Sequence, residues 1–247
     1  MALASGHSEI HNDLLTGKRE LNSRFRDRSR LKAGELMTTA TCSPRLIHRL
    51  RAGWACQFRD FPDGHRAIVD VYLPGDVIGL DSALQTRPVQ NVLTLTSIIA
   101  DAIDAETGLS EMMAHMPTAL YIAWLLSQRQ RRSDRLFSAI SCLDARGRVA
   151  MMVLDLYKRL TSRRLIASTT YNLPLTQSQI GGYLGLTVVH VNRVLRLLRD
   201  ELIVNVEKHC VTILNFDQLT KLAQGGEISR PSRSISERPQ HPALMIG

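Results

Sequence analysis

The spacing of apolar residues changes along the chain. Between about residues 31 and 104 it has a period near two. Trp54, Cys56 and Phe58 alternate with Ala55, Gln57 and Arg59, after a run Leu46–Leu50 that ends near Gly53. Pro62-Asp63-Gly64 is a turn signal between this strand and Ala67–Leu73, which stops at Pro74-Gly75-Asp76. Asn91–Ile103, rich in Val, Leu, Ile and Thr, adds one or two more strands. Short strands at this spacing predict a barrel or jelly roll. After Gly108 the period becomes helical. A short helix is predicted over 109–116, ending near Pro117, then one long helix over 118–141 that lacks Pro and Gly. Leu125, Leu136, Ile140 and Leu143 are expected to share a stripe, with Trp124 nearby and a polar middle from Gln128 to Arg135. A helix apolar at both ends is expected to pair with its own copy. Asp144–Thr161 forms another amphipathic helix, with Val149, Met152, Val153, Leu156 and Leu160 on one face. Residues 1–20 lack a period and are expected to form a loose tail or short helix. Residues 221–247 have the composition of a disordered tail.

The segment from Thr176 to Glu201 carries the most specific pattern. Thr176 with Gln179 three residues on matches a capping box. Two helices that cross closely need a small residue at an inward position, which Gly181 supplies. Gly185, four residues later, suits a turn through the left-handed region. Thr187 then caps a second helix. Ile180, Leu184, Leu186, Val191 and Val194 fall where a core between the helices is needed. That leaves Val188, Val189, His190, Asn192, Arg193 and Arg196 outward. Any helical hairpin with a glycine turn shares part of this pattern, and Gly182 weakens the first helix by roughly 1 kcal/mol relative to Ala. The joint match of small residue, turn, cap and apolar set favours a DNA-binding helix-turn-helix. Leu202–Val206 and Val211–Leu214, joined through Glu207-Lys208-His209, add a hairpin wing.

Charge agrees with a polyanionic partner. The 247 residues carry a net charge of +8. Seven Lys or Arg crowd residues 17–34, and ten crowd 128–164 against three Asp; runs of this kind also serve as solvated faces. Cys42, Cys56, Cys142 and Cys210 are scattered, without the clustering that a metal or iron–sulfur site needs. Neither a signal peptide nor a membrane-length apolar run is evident, so a cytoplasmic protein is expected, without membrane association.

The chain resembles the CRP/FNR family of bacterial transcription regulators over roughly residues 30–220. The resemblance rests on Leu175-Thr176-Gln177, Leu184-Gly185-Leu186-Thr187, Val191-Asn192-Arg193 and the Leu-Arg-Leu-Leu-Arg run. Leu143-Asp144-Ala145-Arg146-Gly147-Arg148 matches the segment that follows the dimer helix. Upstream, Gly53-Trp54-Ala55-Cys56, Pro62-Asp63-Gly64 and Leu73-Pro74-Gly75-Asp76 resemble the family's sensor domain. It implies a homodimer on a pseudo-palindromic operator of double-stranded DNA, and contact with RNA polymerase. Arg193 matches an arginine that reaches bases, and its fork fits guanine O6 and N7. Asn192 matches a position that sets operator choice, and Thr176, Thr187 and His190 match phosphate-contacting positions. Val189 stands where the family usually has a base-reading glutamate, beside Val188, so a different operator is expected. Cyclic-nucleotide-binding members use a glutamate and an Arg-Ser pair. Here Gly79 is followed by Leu80-Asp81, and Pro88-Val89 take the Arg-Ser positions, with Arg87 one residue away as the only candidate for an effector phosphate.

The predicted fold is therefore α+β: a tail over 1–30, a cyclic-nucleotide-binding-like jelly roll over 31–108, linker and dimerisation helix over 109–142, a winged helix-turn-helix over 143–220, and a tail over 221–247. The DNA-binding candidates are Thr176, Gln177, Thr187, Val188, Val189, His190, Asn192, Arg193, Arg196 and Lys208. No catalytic residue, metal ligand or cofactor is expected. The competing reading is a cupin-like metal or ligand binder with an idle helix-turn-helix, but His48 and His65 stand alone and no H-x-H occurs.

Overall fold

The structure is a computed structural model that describes residues 2–38, 46–85 and 91–226, with side chains from Glu9 onward and Thr38 excepted. Arg87, Pro88, Val89, Cys42 and the tail beyond 226 lie outside the described residues.

Eight strands form two four-stranded antiparallel sheets. The strands are β1 (Asp27–Leu31), β2 (Leu36–Thr38), β3 (Leu46–Ala52), β4 (Ala55–Asp60), β5 (Arg66–Tyr72), β6 (Val77–Ile78), β7 (Asn91–Thr94) and β8 (Ile98–Asp104). One sheet has the order β1-β8-β3-β6 and the other β2-β7-β4-β5. Leu50, Ala55, Tyr72, Ile78, Val92, Ile98 and Ala100 close the core of this roll. Every residue of β4 from Ala55 to Phe58 is buried, so this part of the strand has no solvent face. One side lines the roll. The other belongs to a second, larger core in which Cys56, Phe58, Ile68, Val71 and Leu73 meet the C-terminal helices.

Three helical segments differ from the expected ones, each for a local reason. Residues 2–24 form a helix, α1 (Ala2–Arg24), longer than the loose tail or short helix expected over 1–20. Its inward face is Leu14, Gly17 and Leu21, and Leu21 is fully buried with Phe25, Ile47, Tyr121 and Ile122. A glycine in mid-stripe hides the apolar period; an added Cβ at Gly17 would lie 1.8 Å from the Pro117 carbonyl oxygen. After the short α2 (Leu80–Ala83), α3 (Ala105–Ala114) starts before Gly108, because the Asp104 carboxylate accepts hydrogen bonds from the Glu106 and Thr107 amides. The long helix α4 (Met116–Cys142) begins ahead of Pro117, which sits in the first turn where no amide partner is needed.

Helix α5 (Ala145–Ser162), capped by Asp144 on the Gly147 amide, buries Val149, Met152, Val153, Leu156 and Leu160. Beyond it come β9 (Thr170–Asn172), α6 (Gln177–Leu184), α7 (Val188–Asp200), β10 (Val204–Glu207), β11 (Cys210–Ile213) and α8 (Phe216–Ala223). The three strands pair in the order β10-β11-β9. Helix α8 continues to Ala223, past the expected end at 220, and buries Leu219.

The roll and the C-terminal helices are joined by ion pairs as well as by apolar packing. Asp70 meets Arg132 at 2.8 Å, and Arg129 pairs with Asp81. Asp76 accepts from Arg159 at 2.8 Å and from Arg163 at 2.5 Å. Burial works to raise the Asp76 pKa, but the two guanidinium groups outweigh it and hold it at about 2. Part of the basic run 128–164 is thus turned inward rather than solvated.

Candidate nucleic-acid interface

The helix pair α6–α7 is built as its residues require. The Thr176 hydroxyl accepts from the Gln179 amide at 3.2 Å, and Gln179 Oε1 accepts from the Thr176 amide at 2.8 Å, completing the capping box. A Cβ at Gly181 would lie 2.5 Å from the Leu186 carbonyl oxygen, so the chain entering α7 passes where no other side chain fits. Gly185 turns it at φ 65° and ψ 40°, in the left-handed region. The His190 amide donates to the Thr187 hydroxyl at 3.2 Å and so caps α7. Ile180, Leu184, Val191 and Val194 are buried between the helices, with Leu198 beyond them; Leu186 is half-buried at the rim.

What remains outside is one continuous face. Thr187, Val188, Val189, His190, Asn192, Arg193 and Arg196 are all exposed. Val188 and Val189, 42% and 75% exposed, stand side by side as a small apolar patch at the start of α7. The Arg193 side chain has neither ion pair nor hydrogen bond among the described residues, whereas Arg196 lies 3.6 Å from Asp200. The first turn of α7 carries no acid, so its positive dipole end is open to an anion. Thr176 and Gln177 are exposed at the start of α6. Pairing of Glu207 with Cys210 leaves Lys208-His209 as a two-residue wing tip. Both have positive φ, 47° and 64°, as a type I′ turn demands. The His209 carbonyl accepts from the Leu173 amide at 2.6 Å and anchors the wing to the chain leaving β9.

Sequence reasoning missed two features here. Gly182 is not a defect in α6, since a Cβ there would lie 2.6 Å from the Arg66 carbonyl oxygen, where α6 lies against β5. Leu125 and Leu136 on α4, and Leu143 just after it, pack half-buried against the protein's own cores. Phe137, 73% exposed, is left outside with Ile140, as are Met116 and Trp124 toward the start of the helix. The turn before Phe137 is polar, so no apolar residue precedes it at helical spacing.

Residues 147–222 match the Crp-like helix-turn-helix domain family. The chain is 25% identical over 193 residues to the anaerobic regulatory protein of Haemophilus influenzae, covering 78% of this chain and 74% of that one. It is 27% identical over 197 residues to the transcriptional activator protein anr of Pseudomonas aeruginosa, covering 79% and 80%. The chain thus carries a Crp-like helix-turn-helix domain and is similar over most of its length to regulators of the CRP/FNR family. It is a DNA-binding transcription regulator. Its fold is that of FixK2 from Bradyrhizobium japonicum, with a TM-score of 0.69 at 20% identity over 79% of this chain and 96% of that one. A CRP-family regulator from Thermus thermophilus has a TM-score of 0.65 at 19% identity, over 80% and 97%. Among the described residues, no three His, Cys, Asp or Glu side chains are grouped to hold a metal ion, and no helix is long and apolar enough to cross a membrane.

Proposed function

We propose that the protein acts as a homodimer in which each protomer lays α7 in the major groove of a pseudo-palindromic operator. The observation that carries this is the outer face of α7, where an unpaired Arg193 and Asn192 stand beside two exposed valines at the open end of a capped helix. Asn192 and Arg193 read base edges, and Arg193 takes guanine O6 and N7 through its fork. Val188 and Val189 face thymine methyl groups and disfavour sites that need an acceptor for cytosine N4. Thr176, Gln177, Thr187, His190, Arg196 and Lys208 hold phosphates and set the register. The dimer forms along α4. Met116, Ala123, Gln130 and Phe137 recur every seven residues and are all exposed, the spacing of a helix that pairs with its own copy. Two-fold symmetry then places the half-sites about one helical turn apart, or a multiple of it. The roll receives the signal, and RNA polymerase is met from the DNA-bound dimer, in the cytoplasm, without catalysis by this chain.

Arg193→Ala is expected to weaken operator binding by roughly 1–3 kcal/mol and to relax one base pair in each half-site; Lys208→Ala is expected to weaken all sequences alike and lower the salt slope by about one. Selection of bound DNA from a random pool, repeated with both variants, reads affinity and preference together. An Arg193→Ala protein that selects the same sites with unchanged affinity overturns the assignment.

A further inference from the structure

A cavity of about 890 Å³ lies between β3, the turn from β5 to β6, α4 and the C-terminal end of α5. It does not involve α6, α7 or the wing. Ten of its lining residues are Lys or Arg, and two are Asp. Six of the ten are paired with carboxylates, among them Arg159 and Arg163 with Asp76. The other four, Lys18, Arg49, Lys158 and Arg164, have no ion pair or side-chain hydrogen bond among the described residues. Arg49 is the most telling, because its Nε and Nη1 atoms are enclosed without a partner. Burial, with Arg51 beside it, pulls its pKa below the ordinary arginine value. Asp101 lies nearby but is taken by Arg28 and Arg51; an enclosed cation without a direct partner is costly, and here three more unpaired cations stand around the same space. The wall also holds an aromatic platform. Tyr121 and Trp124 stack with centroids 5.5 Å apart and planes at 15°, and Trp124 is half open. The volume falls within the range of small-molecule sites.

We propose that this cavity binds a phosphorylated small molecule of nucleotide size that carries at least two negative charges, with its phosphates among Arg49, Lys158 and Arg164 and its ring against Trp124. Guanidinium forks suit phosphate oxygens, and the number of uncompensated cations calls for more than a single charge. A phosphate at this place competes with Asp76 for Arg159 and Arg163, the groups that tie α5 to the roll. Ligand binding is thereby coupled to how the DNA-binding helices are held. The site itself stands independently of the DNA contacts assigned above.

The test is calorimetric titration of the full-length protein with pyrophosphate, ADP, AMP and sulfate. Pyrophosphate and ADP are expected to bind saturably, one per chain, with ADP tighter and AMP and sulfate at least tenfold weaker. Arg49→Gln/Lys158→Gln is expected to lose at least tenfold for both, whereas Arg193→Ala, on the far face, keeps them. No saturable binding at millimolar concentration overturns the site, as does binding that Arg193→Ala removes and the double variant keeps. Equal affinity for pyrophosphate and ADP overturns the part given to the ring. Without ligand, Arg49→Gln alone is expected to raise the unfolding temperature, since an unpaired cation is removed. A lowered temperature marks Arg49 as a packing residue and overturns its assignment.

Discussion

The helix pair α6–α7 and the junction between the roll and helices α4–α5 are held in opposite ways. The helix pair uses backbone devices, namely two caps, a close approach at Gly181 and a left-handed turn at Gly185, so among the described residues its outer face is free of ion pairs until Asp200. The junction uses charge: Asp70 and Asp76 are buried and each answers arginines from a helix far along the chain. A region whose geometry is set by its backbone keeps its side chains for a partner. A region set by buried ion pairs can be rearranged by anything that competes for those charges.

The sharpest way to break this contrast is at Asp70. Its carboxylate bonds Arg132 at 2.8 Å and also accepts from the Val71 amide at 2.9 Å. Burial alone lowers the pKa of Arg132, and Asp70 more than reverses it. Asp70→Ala leaves an enclosed guanidinium without its counter-charge, at an expected cost of about 3–5 kcal/mol in chemical denaturation. Asp70→Leu with Arg132→Met removes both charges and is expected to recover most of that loss. A double variant as unstable as Asp70→Ala shows that the pair itself, rather than an orphaned charge, carries the junction.

These two regions also differ in how far the sequence reveals them. The helix pair is local: its cap, small residue and turn lie within a dozen positions, and each obeys a rule about neighbours. Asp70 and Arg132 are 62 residues apart, and the strand pattern misplaces Asp70 besides. Strict alternation puts Ile68, Asp70 and Tyr72 on one face of β5. Instead Gln57 pairs with Asp70 and Phe58 with Ile68, so Val69 is an extra residue that bulges out and is exposed. The bulge reverses the phase of the strand. Ile68 and Val71 then face the C-terminal helices, while Asp70 joins Tyr72 and Gln57 on the side of α4. Periodicity cannot show a one-residue bulge, and α1 was hidden in the same way, by a glycine in the middle of its apolar stripe.

A second prediction separates the two regions by acid. His48 lies in β3, pairs in register with Ala102 and Ile78, and is buried with both ring nitrogens unpartnered. Burial lowers its pKa from 6.5 to about 4. The unfolded chain therefore binds a proton that the folded chain lacks between about pH 6.5 and 4, and stability falls as pH drops through that window. The full loss is roughly 3–4 kcal/mol, at about 1.4 kcal/mol per pH unit. Asp76 acts in a lower window: its depressed pKa stabilises the fold above about 3.8, and that contribution is lost as pH falls toward about 2. Denaturant midpoints measured from pH 7 to 4 are expected to fall in the native protein and to stay nearly flat in His48→Leu. An equal slope in both proteins removes His48 as the source.

The smallest effect tests the claim that the DNA face depends on backbone devices. The Thr187 hydroxyl accepts the His190 amide and starts α7 beside the exposed valines. Thr187→Ala is expected to cost about 1 kcal/mol of stability, the usual worth of such a cap, while Thr187→Ser keeps it. If the hydroxyl only caps the helix, operator affinity follows stability and Ser restores both. If it also meets a phosphate, as proposed, Thr187→Ala loses affinity beyond the stability change, and the excess shrinks as salt is raised. Thr176 is the internal control. It too caps a helix, but the Gln179 side chain secures the Thr176 amide from the other side, so part of the capping box survives Thr176→Ala and a smaller stability loss is expected. An alanine at 187 that loses stability without any salt-dependent loss of affinity assigns the hydroxyl to the helix alone.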